Sequence, residues 1–182
     1  MENFLAQKKK IIVQQWTDQV LDSYGAPDFF KKQKNQFANP VGSTISAGLQ
    51  EIYTVLAEGK ELGRVCKPLE DIVKIRAVQE FTPSQSVSFL YLLKTIVQQE
   101  LAKDKKNSVG QESLTELDNR IDQIALMAFD FYMDCRERLN QIRINEVLSG
   151  RHTLTDGTKC VSAMLKRDKI ESADNIQNNR LT

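Results

Sequence analysis

The sequence predicts an all-α protein, an antiparallel helical bundle with a long C-terminal helix. Three observations predict it. Chain breakers are scarce, with 4 prolines and 8 glycines in 182 residues. Apolar residues recur at spacings of three and four, the period of a helix that buries one face. The breakers that are present punctuate those stretches: Asn39-Pro40 and Thr82-Pro83 each pair a capping side chain with a proline at the first helical position, and Gly25, Gly59 and Gly150 follow periodic runs.

Asn3 to Tyr24 reads as an amphipathic helix with Leu5, Ile12, Val13, Trp16, Val20 and Tyr24 on its apolar side, stopped by Gly25 and Pro27. Pro27 to Asn39 is a connector whose Phe29, Phe30 and Phe37 are too apolar to float free, so one or two turns packed over the bundle are expected. The next helix opens at Asn39-Pro40 and runs to about Glu58, with Val41, Ile45, Leu49, Ile52, Tyr53 and Leu56 as its stripe and Gly59 as its stop. Gly42, Ala47 and Gly48 would permit a close approach of helices. Lys60 to Lys67 reads as a loop, and Pro68 restarts a helix that ends near Phe81.

Thr82-Pro83-Ser84-Gln85 is a capping box, in which the threonine hydroxyl and the glutamine side chain satisfy each other's backbone N–H groups. The helix it opens, Pro83 to about Asp104, is the most apolar in the chain. Phe89, Leu90, Leu92, Leu93, Ile96, Val97 and Leu101 cover roughly half its circumference, wider than the ~100° stripe of a surface helix, which places it at the centre of the bundle. Lys103 to Gly110 is a charged turn. The last helix, about Glu112 to Leu148, is roughly 55 Å long at 1.5 Å per residue, with an unbroken seam of Leu114, Leu117, Ile121, Ile124, Ala125, Ala128, Tyr132, Cys135, Leu139 and Ile142. Its end should project, pair with a second copy, or break. Residues 1–148 form one domain, and 149–182 an extension with a short helix around Thr158 to Arg167 and a mobile tail.

Charge and composition exclude several functions. Net charge is +1, from 25 basic and 24 acidic side chains, so no global field recruits nucleic acid. The longest apolar run, Ile124 to Phe129, is far short of the ~20 residues that span a bilayer, so no membrane insertion is expected. Cys66, Cys135 and Cys160 have no ligand spacing and imply no disulfide framework, consistent with a cytoplasmic protein, and Cys135 reads as an inert seam thiol. The single histidine, His152, lies beyond the helical core, which leaves no histidine triad, metal cluster or axial haem ligand. Asp130 and Asp134, one turn apart, read as a solvated face. No catalytic residue, metal or cofactor is predicted, and the chain does not read as an enzyme.

The least expected polar feature is Arg76. With Glu80 at i+4, it falls on the same side as Leu69, Ile72 and Val73. A rim salt bridge covering the core edge is the plainer reading. A partly buried charged site that orients a partner or ligand is the sharper one.

Two stretches resemble a known family. Ile75-Arg-Ala-Val-Gln-Glu-Phe-Thr-Pro-Ser-Gln-Ser-Val-Ser-Phe89 with Leu93-Lys94, and Ala128-Phe-Asp-Phe-Tyr132 with Cys135-Arg-Glu137 and Arg143-Ile-Asn-Glu146, are similar to the central and closing motifs of the N-terminal domain of the RsbT co-antagonist RsbRD. Trp16 and Asn39-Pro40 also fit. The resemblance spans about residues 10 to 148. It implies a helical sensory or regulatory domain, similar to the non-haem globin-like input domains of stressosome proteins, with no catalytic residues to carry over. Relatives occur fused to PAS or histidine-kinase modules and as stand-alone proteins in sulfate-reducing bacteria. Here only about 35 residues follow Glu146, so output is expected to pass through a separate partner.

Carried onto this sequence, the motif positions are Arg76, Gln79, Ser84, Gln85 and Lys94 on the central pair, with Arg136, Arg143 and Glu146 on the long helix. Glu80 and Tyr132 join them as neighbours. Arg136 and Arg143 lie one heptad apart beside Tyr132, placed to hold an anion, clasp Glu80 or contact a second subunit. Three functions follow: a non-catalytic signalling domain that works as a homodimer with a separate protein partner, a small-ligand sensor for an anion or apolar metabolite, and an accessory protein of a redox or sulfur-metabolism complex.

Overall fold

A computed structural model describes residues 1–25, 27–32, 37–79, 81–104 and 110–149. Among them are six α-helices and no strand: α1 (Glu2–Asp22), α2 (Pro27–Lys32), α3 (Pro40–Ala57), α4 (Cys66–Val78), α5 (Pro83–Lys103) and α6 (Gln111–Ser149), with a 3-10 turn at Leu62–Val65. The chain divides into two compact units, Met1–Cys135 and Arg136–Thr182. The expectations for Glu80, residues 105–109 of the charged turn, His152, Cys160, the Thr158 to Arg167 helix and the tail lie outside the described residues.

In the first unit α3 packs against α1 and α4, and α1 against α5. The stripes read from the sequence form this core: Leu5, Ile12, Trp16 and Val20 of α1, Ile45, Leu49, Ile52 and Tyr53 of α3, and Phe89, Leu90, Leu93, Ile96 and Val97 of α5 are buried. Each such side chain contributes roughly 1.5–3 kcal/mol. Leu92 and Leu101, placed on the same arc of α5, are half-buried. Between Leu117 and Tyr132 the seam of α6 is buried as expected, at Leu117, Ile121, Ile124, Ala125, Ala128 and Tyr132.

Local chemistry sets the helix ends. Asn39 Oδ1 accepts from Gly42 N at 2.8 Å, while its amide donates to Phe30 O and so fastens α2 to the start of α3. The stop after α3 uses Gly59 at φ 62°. Lys60 N donates to Val55 O and Gly59 N to Leu56 O, a Schellman closure that glycine adopts without steric cost. The Arg120 guanidinium of α6 donates to Lys60 O and, as a second donor, to Val55 O at the same place, tying α6 to the stop of α3. Gly48 is the glycine that permits close packing: a Cβ there would lie 2.9 Å from Ile72 Cδ1 and 3.3 Å from Pro68 O on α4.

Two boundaries differ from expectation. α4 begins at Cys66, two residues before Pro68, because any first-turn position lacks an intrahelical N–H acceptor and so tolerates proline. It ends at Val78 instead of near Phe81, and the residues Lys60 to Lys67, expected to be loop, include the 3-10 turn. In the second unit α6 continues without a break to Ser149, with Ile142, Ile144, Val147 and Leu148 exposed. Ile142, expected in the seam, is 54% exposed.

Candidate functional site

The capping box forms as the sequence predicts: Gln85 N donates to Thr82 Oγ1, and Thr82 N donates to Gln85 Oε1 at 3.0 Å. This pins the first turn of α5 beside the end of α4. Arg76, on the last turn of α4, is thereby directed into the interior, where it is 1% exposed. Its Nη1 donates to Gln85 O at 2.9 Å and its Nη2 to Ser23 Oγ at 3.1 Å. Three aromatic rings face the guanidinium, with centroids 5.2 Å away at Tyr24, 4.8 Å at Phe81 and 5.0 Å at Phe89.

A buried cation costs several kcal/mol in desolvation unless something compensates it. Among the described residues Arg76 has no carboxylate partner. The ring faces offset part of that cost as cation–π attraction, and a carbonyl and a hydroxyl accept hydrogen bonds from the guanidinium. Burial pushes the Arg76 pKa down and pushes that of the Tyr24 phenol up, with the two groups' mutual attraction opposing both shifts. Among the described residues, Arg76 Nε and the Ser86 hydroxyl are buried without hydrogen-bond partners, and the Tyr24 hydroxyl has only the Arg76 guanidinium beside it.

Two further bonds converge on this node. Tyr132 of α6 donates its hydroxyl to Phe81 O at 2.6 Å. Trp16 of α1 donates its indole N–H to Phe89 O at 2.6 Å and stacks on the Phe89 ring with centroids 6.3 Å apart. Side chains from α1, α4 and α6 thus all grip the α4–α5 turn or the first two turns of α5. The arrangement fixes backbone; it presents no nucleophile with an adjacent base.

Of the residues singled out by sequence, the structure brings together Arg76, Gln85 and, through Phe81 O, Tyr132. Gln79 caps α4 and is exposed, and Ser84 is exposed beside Thr82. On α5, Ser88 bonds back to Gln85 O. Lys94 belongs to another surface, where it pairs with Asp122 of α6 at 2.8 Å and lies over the Tyr91 ring. Glu80, the expected partner of Arg76, lies outside the described residues. Arg136, Arg143 and Glu146 fall in the second unit, with Arg136 and Glu146 half-buried and Arg143 exposed. Sequence reasoning missed Ser23 and Phe81 as components of the node. It placed Tyr24 and Trp16 in the core without assigning them a polar role.

No group of three or more potential metal ligands occurs among the described residues, and no helix there is long and apolar enough to cross a membrane. What the fold and site define is an all-helical domain, among the described residues, whose buried polar side chains hold its own backbone in place. The chain belongs to the family of the RsbT co-antagonist protein rsbRD N-terminal domain, whose family model matches residues 11–147. That family is regulatory and not catalytic. The chain is also 24% identical to an uncharacterised protein of Archaeoglobus fulgidus over 139 residues, covering 76% of this chain and 83% of that protein. No solved structure matches it.

Proposed function

We propose that this chain is a non-catalytic, cytoplasmic regulatory domain that signals by protein–protein contact, as a homodimer through α6 and with a separate protein as its output. The observation that carries the reading is an apolar stripe on the outer face of α6. Leu126, Phe129 and Met133, spaced i, i+3 and i+7, are 68%, 43% and 48% exposed, centred roughly 120° round the helix from the buried seam. Exposed apolar residues held in one helical register mark an interaction site, and α6 carries more of them beyond this stripe, at Ile142, Ile144, Val147 and Leu148. Light scattering at micromolar concentration should give more than one chain mass, falling to one chain in a Leu126→Glu, Met133→Glu double variant. A wild-type mass of one chain, with no partner recovered by pull-down, would overturn the proposal.

A second reading, a sensor for a small anion, is favoured by the buried Arg76 guanidinium, whose Nε has no hydrogen-bond partner among the described residues. It predicts that phosphate, sulfate or a small carboxylate raises the melting temperature of the wild type and not of Arg76→Met. Equal shifts in both would remove it.

A further inference from the structure

Beside the core, α1 and α3 diverge to leave an open trough of about 760 Å³. Small and apolar side chains line it on both helices, Val13, Thr17 and Leu21 on α1 and Ser43, Ser46 and Ala47 on α3. On α1 it runs from Ala6 to Leu21, about 22 Å at 1.5 Å per residue, and on α3 from Gly42 to Gln50, about 12 Å. Lys9, Lys10 and Lys31 line it against one acid, Asp18. Lys9 is bonded to Thr54 and Lys31 to Asp22, whereas Lys10 is exposed with no bonded partner among the described residues. A small molecule is commonly held in a cavity that covers most of its surface. This trough is long and open, which suits the ridge of a helix packed between two others.

The same chain carries such a ridge. The exposed stripe Leu126, Phe129 and Met133 is flanked on one side by Asp130 and Asp134, both exposed. From Leu126 to Asp134 the helix extends about 12 Å, the length of the α3 wall. Apolar side chains would pack against the small side chains that line the trough, and the two carboxylates would meet the lysine rim.

We propose that the α1/α3 trough is the docking site for the Leu126–Asp134 ridge of a second copy. The inference rests on the reading of α6 as the contact surface and names what that surface contacts. Such a contact joins two different patches, so each copy offers one ridge and one trough.

Charge reversal separates the possibilities. Lys9→Glu with Lys10→Glu makes the trough acidic, and Asp130→Lys with Asp134→Lys makes the ridge basic. Lys10, Asp130 and Asp134 are exposed and Lys9 is half-buried and bonded to Thr54, so circular dichroism and a thermal melt check that each variant folds. Each variant alone should self-associate about tenfold or more weakly than the wild type by analytical ultracentrifugation. An equimolar mixture should recover association, because every ridge–trough pairing between the two variants joins opposite charges. A ridge variant that dissociates while the trough variant associates like the wild type would overturn this docking and leave α6 as the contact surface. A wild type that stays monomeric at every accessible concentration would overturn both.

Discussion

Two buried charges sit near opposite ends of α5, and the protein accommodates them by different means. At the N-terminal end Arg76 is sealed at 1% exposure among three aromatic rings, a backbone carbonyl and a serine hydroxyl. At the C-terminal end Glu100 is 4% exposed, but its carboxylate takes a hydrogen bond at 2.7 Å from Lys103, whose side chain is 63% exposed, and another from Gln15 of α1. The acid is neutralised by a solvated partner one turn away. The arginine depends on side chains gathered from three other parts of the chain. Removing the first should disturb one helix end, whereas removing the second should loosen the junction of α1, α4 and α5.

The largest effect is therefore expected at Arg76. Arg76→Ala empties a closed site and should cost about 2–5 kcal/mol, as other large-to-small core substitutions do. Arg76→Met keeps much of the volume and abolishes the desolvation of the charge, so it should cost about 1 kcal/mol or less, or raise stability. Urea unfolding of the two variants decides between packing and charge. Equal losses would mean that the hydrogen bonds to Gln85 and Ser23 dominate, contrary to the comparison drawn here.

An intermediate effect is expected at Tyr132, which touches the same junction from α6. Tyr132→Phe leaves the ring in place and removes the donor to Phe81 O. The expected loss is about 1 kcal/mol, rising towards 3 if the carbonyl is left buried and unpaired. Combined with Arg76→Met, the two losses should fail to add, since both side chains hold the Phe81 to Gln85 turn. Strict additivity in a double-mutant cycle would show that they act on separate structures.

These differences follow what is legible in the sequence. The start of α5 can be read directly because its chemistry is confined to four residues, Thr82 to Gln85, and the buried stripes can be read because their period is a property of one helix. The inward position of Arg76 is also legible on the wheel. Its surroundings are not: Ser23 Oγ is 53 residues away, and no local pattern announces that the end of α1 will meet the end of α4. The trough between α1 and α3 is hidden for the same reason, since it is a property of two helices at once. Pro68 misleads because a first turn accepts proline at several positions. Glu100 is not announced by its residue type, since an acid near a helix end ordinarily faces water, although it continues the Phe89, Leu93, Ile96 register into the core.

Glu100 should give the smallest effect and the one most dependent on pH. The hydrogen bond from Lys103 holds its carboxyl below the usual carboxylate range, outweighing the opposing effect of burial, with Gln15 and the charge of Lys8 adding to the lowering. A carboxyl whose pKa is lower in the folded chain than in the unfolded one binds fewer protons when folded. Its stabilising contribution is therefore full above the unfolded value of about 4.3 and disappears as the pH falls through the folded value. Glu100→Gln keeps the shape and removes the titration, so it should be less stable than the wild type at pH 7, with the gap closing as both are acidified towards pH 3. Denaturant melts of the pair at several pH values measure that gap, and the other carboxylates cancel in the difference. A gap independent of pH would mean that Glu100 contributes by packing alone, and the two ends of α5 would then differ less than their geometry implies.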